Sequence, residues 1–221
     1  MMNNLFSIFD PSTMFFFPLN WMSSILLIII LPLNFWFLPN KLFMMIWKMI
    51  TYLQNEIKII INNNNLMIFF IAIFFFIVTN NFMGLFPYIF TSTSHLCTNL
   101  TISLPFWLAI MMFGWINNMN HMFTHLVPQG TPLILMPFMV MIETISNIIR
   151  PLTLAVRLTA NMIAGHLLMS LLSSMKNSFP TYSIFILTIT QITLMILEMS
   201  VAFIQAYVFT ILMSLYSSET N

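Results

Sequence analysis

From Leu66 to Phe90 the sequence carries no charged residue and is almost wholly apolar. A helix of about 20 residues crosses the roughly 30 Å hydrocarbon core of a bilayer, so this run is long enough to span one. Lipid offers no partner for backbone N–H and C=O groups, which leaves the helix as the natural form for such a segment. Similar runs recur along the chain. Residues 14–38 form one candidate, interrupted by Pro18 and Pro32, and residues 105–126 form another. Beyond the Pro-Gln-Gly-Thr-Pro turn at 128–132 come two much longer stretches, 133–175 and 182–216.

Composition makes the membrane reading hard to escape. Only 5% of the residues are charged, where a soluble domain carries about 25%. Eleven charged side chains (six basic, five acidic) cannot solvate the surface of a 221-residue chain. The formal net charge of +1 supplies no basic surface for a polyanion, so nucleic acid is excluded as a partner. A lone cysteine, Cys97, allows neither an internal disulfide nor a thiolate metal cluster, and no cofactor or metal is expected.

The abundance of Ile, Met, Phe and Asn beside four Gly and two Arg reflects AT-rich codons, as in a small organellar genome. Residues 1–13 hold no basic residue and resemble neither a secretory leader nor an import peptide, as expected of a protein made inside the organelle.

Segment 41–64 differs from the spans. It holds Lys41, Lys48, Glu56 and Lys58, and its apolar residues recur every three or four positions (Leu42, Met45, Ile46, Met49, Ile50, Leu53, Ile57). That spacing suits an amphipathic helix lying in the membrane interface. Three of the four lysines fall here, and basic loops stay on the side of synthesis. Five spans then put the N-terminus outside the inner membrane and the C-terminus in the matrix. The expected fold is therefore an all-α integral membrane protein: about five membrane helices plus one interfacial helix, in a single membrane domain covering 1–221.

The stretch 133–175 would reach about 64 Å as a helix, twice the thickness of the hydrocarbon core. Either it breaks near Pro137 or Pro151, or it lies strongly tilted. With 182–216 it would form a long antiparallel hairpin that needs a protein partner to cover its polar groups.

That hairpin carries Glu143, Arg150, Arg157, His166 and Glu198. An ionisable group at the bilayer centre costs at least about 2.5–3.5 kcal/mol, so such residues are functional candidates. At 100° per residue, Glu143, Arg150, Arg157 and Asn161 fall within about 40° of one another. Gln191, Glu198 and Gln205 follow at seven-residue spacing on the last helix. Small residues (Ala155, Ala160, Ala164, Gly165; Ser200, Ala202, Ala206) permit close helix approach. A turn near residue 179 levels Arg157 with Gln205, His166 with Glu198, and Glu143 with Glu219. His166 points about 180° away from Arg157 on an ideal helix, which favours two separate polar compartments over one continuous wire. Carboxylates and His can pass protons on, whereas a guanidinium cannot deprotonate. A fixed cation of this kind becomes a gate only if a mobile carboxylate from a partner moves past it.

Several runs resemble the ATP synthase subunit a family: RLTANMIAGHLLMSLL at 157–172, ETISNIIRPLTLAV at 143–156, LVPQGTP at 126–132, LEMSVAFIQAYVFT at 197–210 and TNNFMGLFPYIFTSTS at 79–94. The resemblance covers nearly everything from residue 79 and, more weakly, the part before it. It implies that the essential arginine is the one followed by Leu-x-x-Asn, which is Arg157, with Asn161 and Gln205 around it. It also implies an inlet half-channel through His166 and Glu198 from the intermembrane space, and an outlet through Glu143 to the matrix. The implied partners are the c-ring, other membrane-sector and peripheral-stalk subunits, and the lipid bilayer. The implied location is the mitochondrial inner membrane. Arg150 is outside the family's essential set. No GxxxxGK[ST] phosphate loop occurs, so the expectation is a non-catalytic subunit that does not itself make ATP.

Two other readings compete. An antiporter-like subunit of a respiratory complex would place lysines within spans, but Lys41, Lys48, Lys58 and Lys176 lie at segment ends, and the halves show no inverted repeat. A purely structural anchor would gain nothing from buried charge.

Overall fold

The computed structural model describes residues 5–12, 18–25, 38–61, 64–86, 88–127, 132, 134–176 and 181–220. All regular structure among them is helical. The described residues form six α-helices: α1 Lys41–Ile60, α2 Asn64–Gly84, α3 Leu96–Asn117, α4 Met119–Leu126, α5 Met136–Met175 and α6 Thr181–Thr220. Short 3-10 segments occupy Leu5–Phe9, Leu19–Ile25 and Ser92–Ser94. Among the described residues four helices, α2, α3, α5 and α6, are long and apolar enough to cross a membrane. The chain is an all-α integral membrane protein. Most of the expected first span, 14–38, lies outside the described residues, as do much of the turn at 128–132 and of the connection after Lys176.

In α1 only the C-terminal part of the periodic apolar face packs, while Leu42, Met45 and Met49 stay exposed. Leu53 and Ile57 are buried, and Ile61 just beyond is 2% exposed. The helix stops at Ile60 rather than at 64. Ile61 turns extended (φ −129, ψ 123), and its N–H closes the last turn on the Ile57 carbonyl. Helix α2 is apolar all round, as a span should be. Its inner side joins Phe70, Ile71, Ile73, Phe74 and Ile77 to Leu53 and Ile57 of α1. Leu154 and Leu158 of α5 and Ala206, Phe209 and Met213 of α6 complete this core.

The apolar pattern starts the next span at 105 and runs it to 126; the structure begins it earlier and divides it. Side chains of the first turn of α3 reach back to backbone carbonyls of the Thr91–Ser94 loop at this earlier start. Thr98 Oγ1 donates to the Ser92 carbonyl (2.6 Å), and Asn99 Nδ2 donates to that of Thr93 (2.8 Å). These bonds tie the loop to the first turn of α3, so the helix opens at Leu96 and carries Pro105 inside it. Membrane helices tolerate such a proline because neighbouring groups take up the freed carbonyl. At the other end Asn118 leaves helical geometry (φ −128, ψ 53), separating α3 from the short α4.

Helices α5 and α6 are unbroken 40-residue elements, each about 60 Å long at 1.5 Å per residue. Pro137 falls in the first turn of α5, where its missing N–H would have had no partner anyway. Pro151 sits within α5 and is buried. The break offered for 133–175 at either proline does not occur. Helix α2 packs along α6, α3 along α5, and α5 on α6, with α1 bracing α2 and α6. Fully buried Ala155 and Ala206 allow the close helix approach that drives association in lipid.

Candidate functional site

Polar groups on the α5–α6 hairpin gather at three levels. Near the interhelical turn, a cavity of about 210 Å³ is lined by Asn161, Gly165, His166, Glu198, Leu85 and Val201, among others. Gly165 makes room for the carboxylate: a Cβ there would lie 2.7 Å from Glu198 Oε1. His166 Nε2 and Glu198 Oε1 are both buried and have no hydrogen-bond partner among the described residues. Polar atoms enclosed in this way call for water. Phe9, from the N-terminal 3-10 segment, sets its ring edge-on to His166 with centroids 6.1 Å apart.

Nine residues back along α5, about 13 Å at 1.5 Å per residue, Arg157 stands on the outer face and is exposed. Among the described residues its guanidinium has no ion pair; both salt bridges belong to Arg150. Its backbone carbonyl accepts a hydrogen bond from Gln205 Nε2 at 3.2 Å, so the level pairing read from the hairpin register is present as a contact. Gln205 itself is 6% exposed. Leu154, Leu158, Val208 and Phe209 close round the two residues, leaving a recess of only about 10 Å³.

A second polar cavity, about 130 Å³, opens at the far end of the hairpin. Glu143, Asn147 and Arg150 line it from α5, and Glu219 and Thr220 from α6. Arg150 bridges both acids, with Nη2 3.6 Å from Glu143 and Nη1 3.2 Å from Glu219. Its guanidinium lies 4.9 Å from the centre of the Tyr216 ring, a cation–π contact. The hairpin thus holds two cavities that carry ionisable side chains, with a closely packed stretch and, among the described residues, an unpaired cation between them.

Comparison with known proteins identifies the family. The sequence profile of the ATP synthase A chain family matches residues 12–218. The chain belongs to the ATP synthase A chain family. Proteins named ATP synthase subunit a are similar to it from end to end. The Drosophila melanogaster one is 55% identical over 224 residues, covering 100% of both chains. That of Locusta migratoria is 56% identical over 223 residues, 99% of each. That of Anopheles quadrimaculatus is 55% identical over 227, 100% of each. Membership makes ATP synthesis and proton transport the setting in which this family's membrane helices work.

Each residue singled out in the sequence falls on the hairpin, but not as one group. His166, Glu198 and Asn161 share the first cavity, Arg157 and Gln205 meet between the cavities, and Glu143 lines the second. Sequence reasoning left Arg150 without a role; the structure gives it two carboxylate partners. It also passed over a buried amide group. Asn81 and Asn99 are almost inaccessible, and each keeps a side-chain atom without a partner among the described residues. The Thr-Asn-Asn break at 79–81 in an otherwise apolar helix was the available signal.

Proposed function

We propose that this chain is the proton-translocating subunit of an F-type ATP synthase in the mitochondrial inner membrane, carrying protons to and from a c-ring through two offset half-channels. Protons from the intermembrane space enter the His166–Glu198 cavity and load a ring carboxylate near Asn161. The ring carries them round, and they leave through the Glu143 cavity to the matrix. Arg157 separates the two. Its guanidinium stays charged at any relevant pH, so it cannot relay a proton, but it attracts a deprotonated ring carboxylate passing its level. A desolvated attraction of this kind is strong, and it favours the unloaded carboxylate only where that carboxylate must pass. Each proton crossing 100 mV yields about 2.3 kcal/mol, which a leak past Arg157 would waste. Remaining membrane-sector and peripheral-stalk subunits would hold the chain against the ring. The chain itself would be non-catalytic.

The observation that carries this reading is the position of Arg157: outward-facing, unpaired within the described chain, and flanked by a polar cavity on either side along the hairpin. Replacing Arg157 by Gln or Ala is expected to abolish proton-driven ATP synthesis in reconstituted vesicles while the complex still assembles. Synthesis near the normal rate in either variant would overturn it.

A further inference from the structure

Near the level of Arg157, a polar contact reaches the hairpin from helix α1. Tyr207, two residues beyond Gln205, donates its phenolic O–H to Glu56 Oε2 of α1 at 2.9 Å. Glu56 is the single acidic residue of α1. Neither Lys48 nor Lys58 of the same helix forms an ion pair with it, since both salt bridges among the described residues are Arg150's. Its neighbours Leu53 and Ile57 are buried against the same core that takes Ala206, Phe209 and Met213 of α6. The contact therefore joins two elements already packed together, and it lies about 3 Å along α6 from Gln205.

We propose that Glu56 and Tyr207 are positioning residues that set the placement of α6 at Gln205, and through it the surroundings of Arg157. Gln205 reaches the Arg157 carbonyl by a single 3.2 Å bond, and its Oε1 has no partner among the described residues. Arg157 has no ion pair of its own to fix it. Alanines at 202 and 206 give α6 a smooth inner surface next to Gln205, which resists sliding less than interlocked large side chains do. A directional bond from a helix outside the hairpin adds a restraint at the level of these alanines. The amphipathic helix α1 thereby acts as a brace for the gate. This inference rests on the function proposed above for Arg157.

The test uses the whole assembled complex in vesicles and reads protons pumped per ATP hydrolysed, together with passive proton leak. Tyr207→Phe removes one oxygen and Glu56→Ala removes its acceptor, while Glu56→Gln keeps a carbonyl oxygen that can accept the same bond. Tyr207→Phe and Glu56→Ala are each expected to lower the pumping ratio about threefold with ATP hydrolysis retained, as loss of one hydrogen bond would. Glu56→Gln should keep more than half of the ratio. The Tyr207→Phe/Glu56→Ala double variant should be no worse than either single one, because both remove one contact. An unchanged ratio in Tyr207→Phe, multiplicative losses in the double variant, or a Glu56→Gln as poor as Glu56→Ala would each overturn the proposal. Arg157→Gln in the same assay separates the two readings. If it pumps normally, the gate reading has failed; if it does not pump and Tyr207→Phe does, only the brace has failed.

Discussion

Gly165 lies where α5 passes closest to Glu198, and the missing side chain is what admits the carboxylate. A methyl group there would stand 2.7 Å from Glu198 Oε1 and 2.8 Å from Cδ. Gly165→Ala is therefore expected to push the carboxylate from its seat and slow ATP synthesis several-fold without loss of the complex. Adding Glu198→Asp, one methylene shorter, should recover part of the rate. An unchanged rate in Gly165→Ala would show that the position of Glu198 is not critical. Arginine chemistry separates the two guanidinium groups of α5. Arg157→Lys should fail, because an ammonium lacks the planar fork and can lose its proton when desolvated. Arg150 is different: its partners Glu143 and Glu219 are 34% and 53% exposed, and ion pairs of that kind contribute about 0.2–1 kcal/mol. Arg150→Gln should keep more than half the synthesis rate, and complete loss with normal assembly would give Arg150 a share in the gate.

The elements show why a proline or an asparagine must be judged with its neighbours. Pro151 reads as a helix breaker, yet α5 continues through it, buried on the side that meets other helices. Asn118 reads as an ordinary residue of one span, yet the chain bends there, with its side chain 3.4 Å from the Thr220 carbonyl at the end of α6. Helix α6 is held at this end by Glu219 and Thr220 and nearer its middle by Tyr207, whereas its N-terminal half is largely exposed. Packing near Gln205 is correspondingly sensitive to volume. Ala206 is fully buried beside Gln205, so Ala206→Leu should force α6 away from its neighbours, at a cost of about 1–3 kcal/mol. The expected outcome is a lower melting temperature of the assembled complex and reduced ATP synthesis. Wild-type values for both would mean that α6 tolerates displacement at this level.

Taken whole, the molecule divides its polar groups between two ends of one hairpin. From Arg157, Glu143 is about 21 Å along α5 in one direction and His166 about 13 Å in the other. Cysteines placed beside Glu198 should therefore react with water-soluble thiol reagents from the intermembrane side only, and those beside Glu143 from the matrix only. Positions flanking Arg157 on its outer face should react poorly from either. The exposed native thiol Cys97 must first be replaced by Ser. Equal labelling beside Glu198 from both sides would replace the compartments with a through-channel.

Apolar run length and scarcity of charge by themselves determined that the chain is a helical membrane protein, because lipid leaves a backbone few other ways to satisfy itself. Helical periodicity and antiparallel register were enough to level Arg157 with Gln205, since both follow from rise and turn alone. Tertiary structure decided the rest. That α3 opens at Leu96 depends on a hydroxyl and an amide of its first turn reaching back to loop carbonyls. Helix periodicity put Glu143 on the face of Arg150 and the register put Glu219 level with Glu143, but that Arg150 bridges the two, Glu219 being 69 residues away, is decided only when the hairpin closes. Glu56 and Tyr207, 151 residues apart, meet because two apolar faces pack. Local pattern records which face of a helix is apolar, but which other helix covers that face is settled by packing of the whole chain.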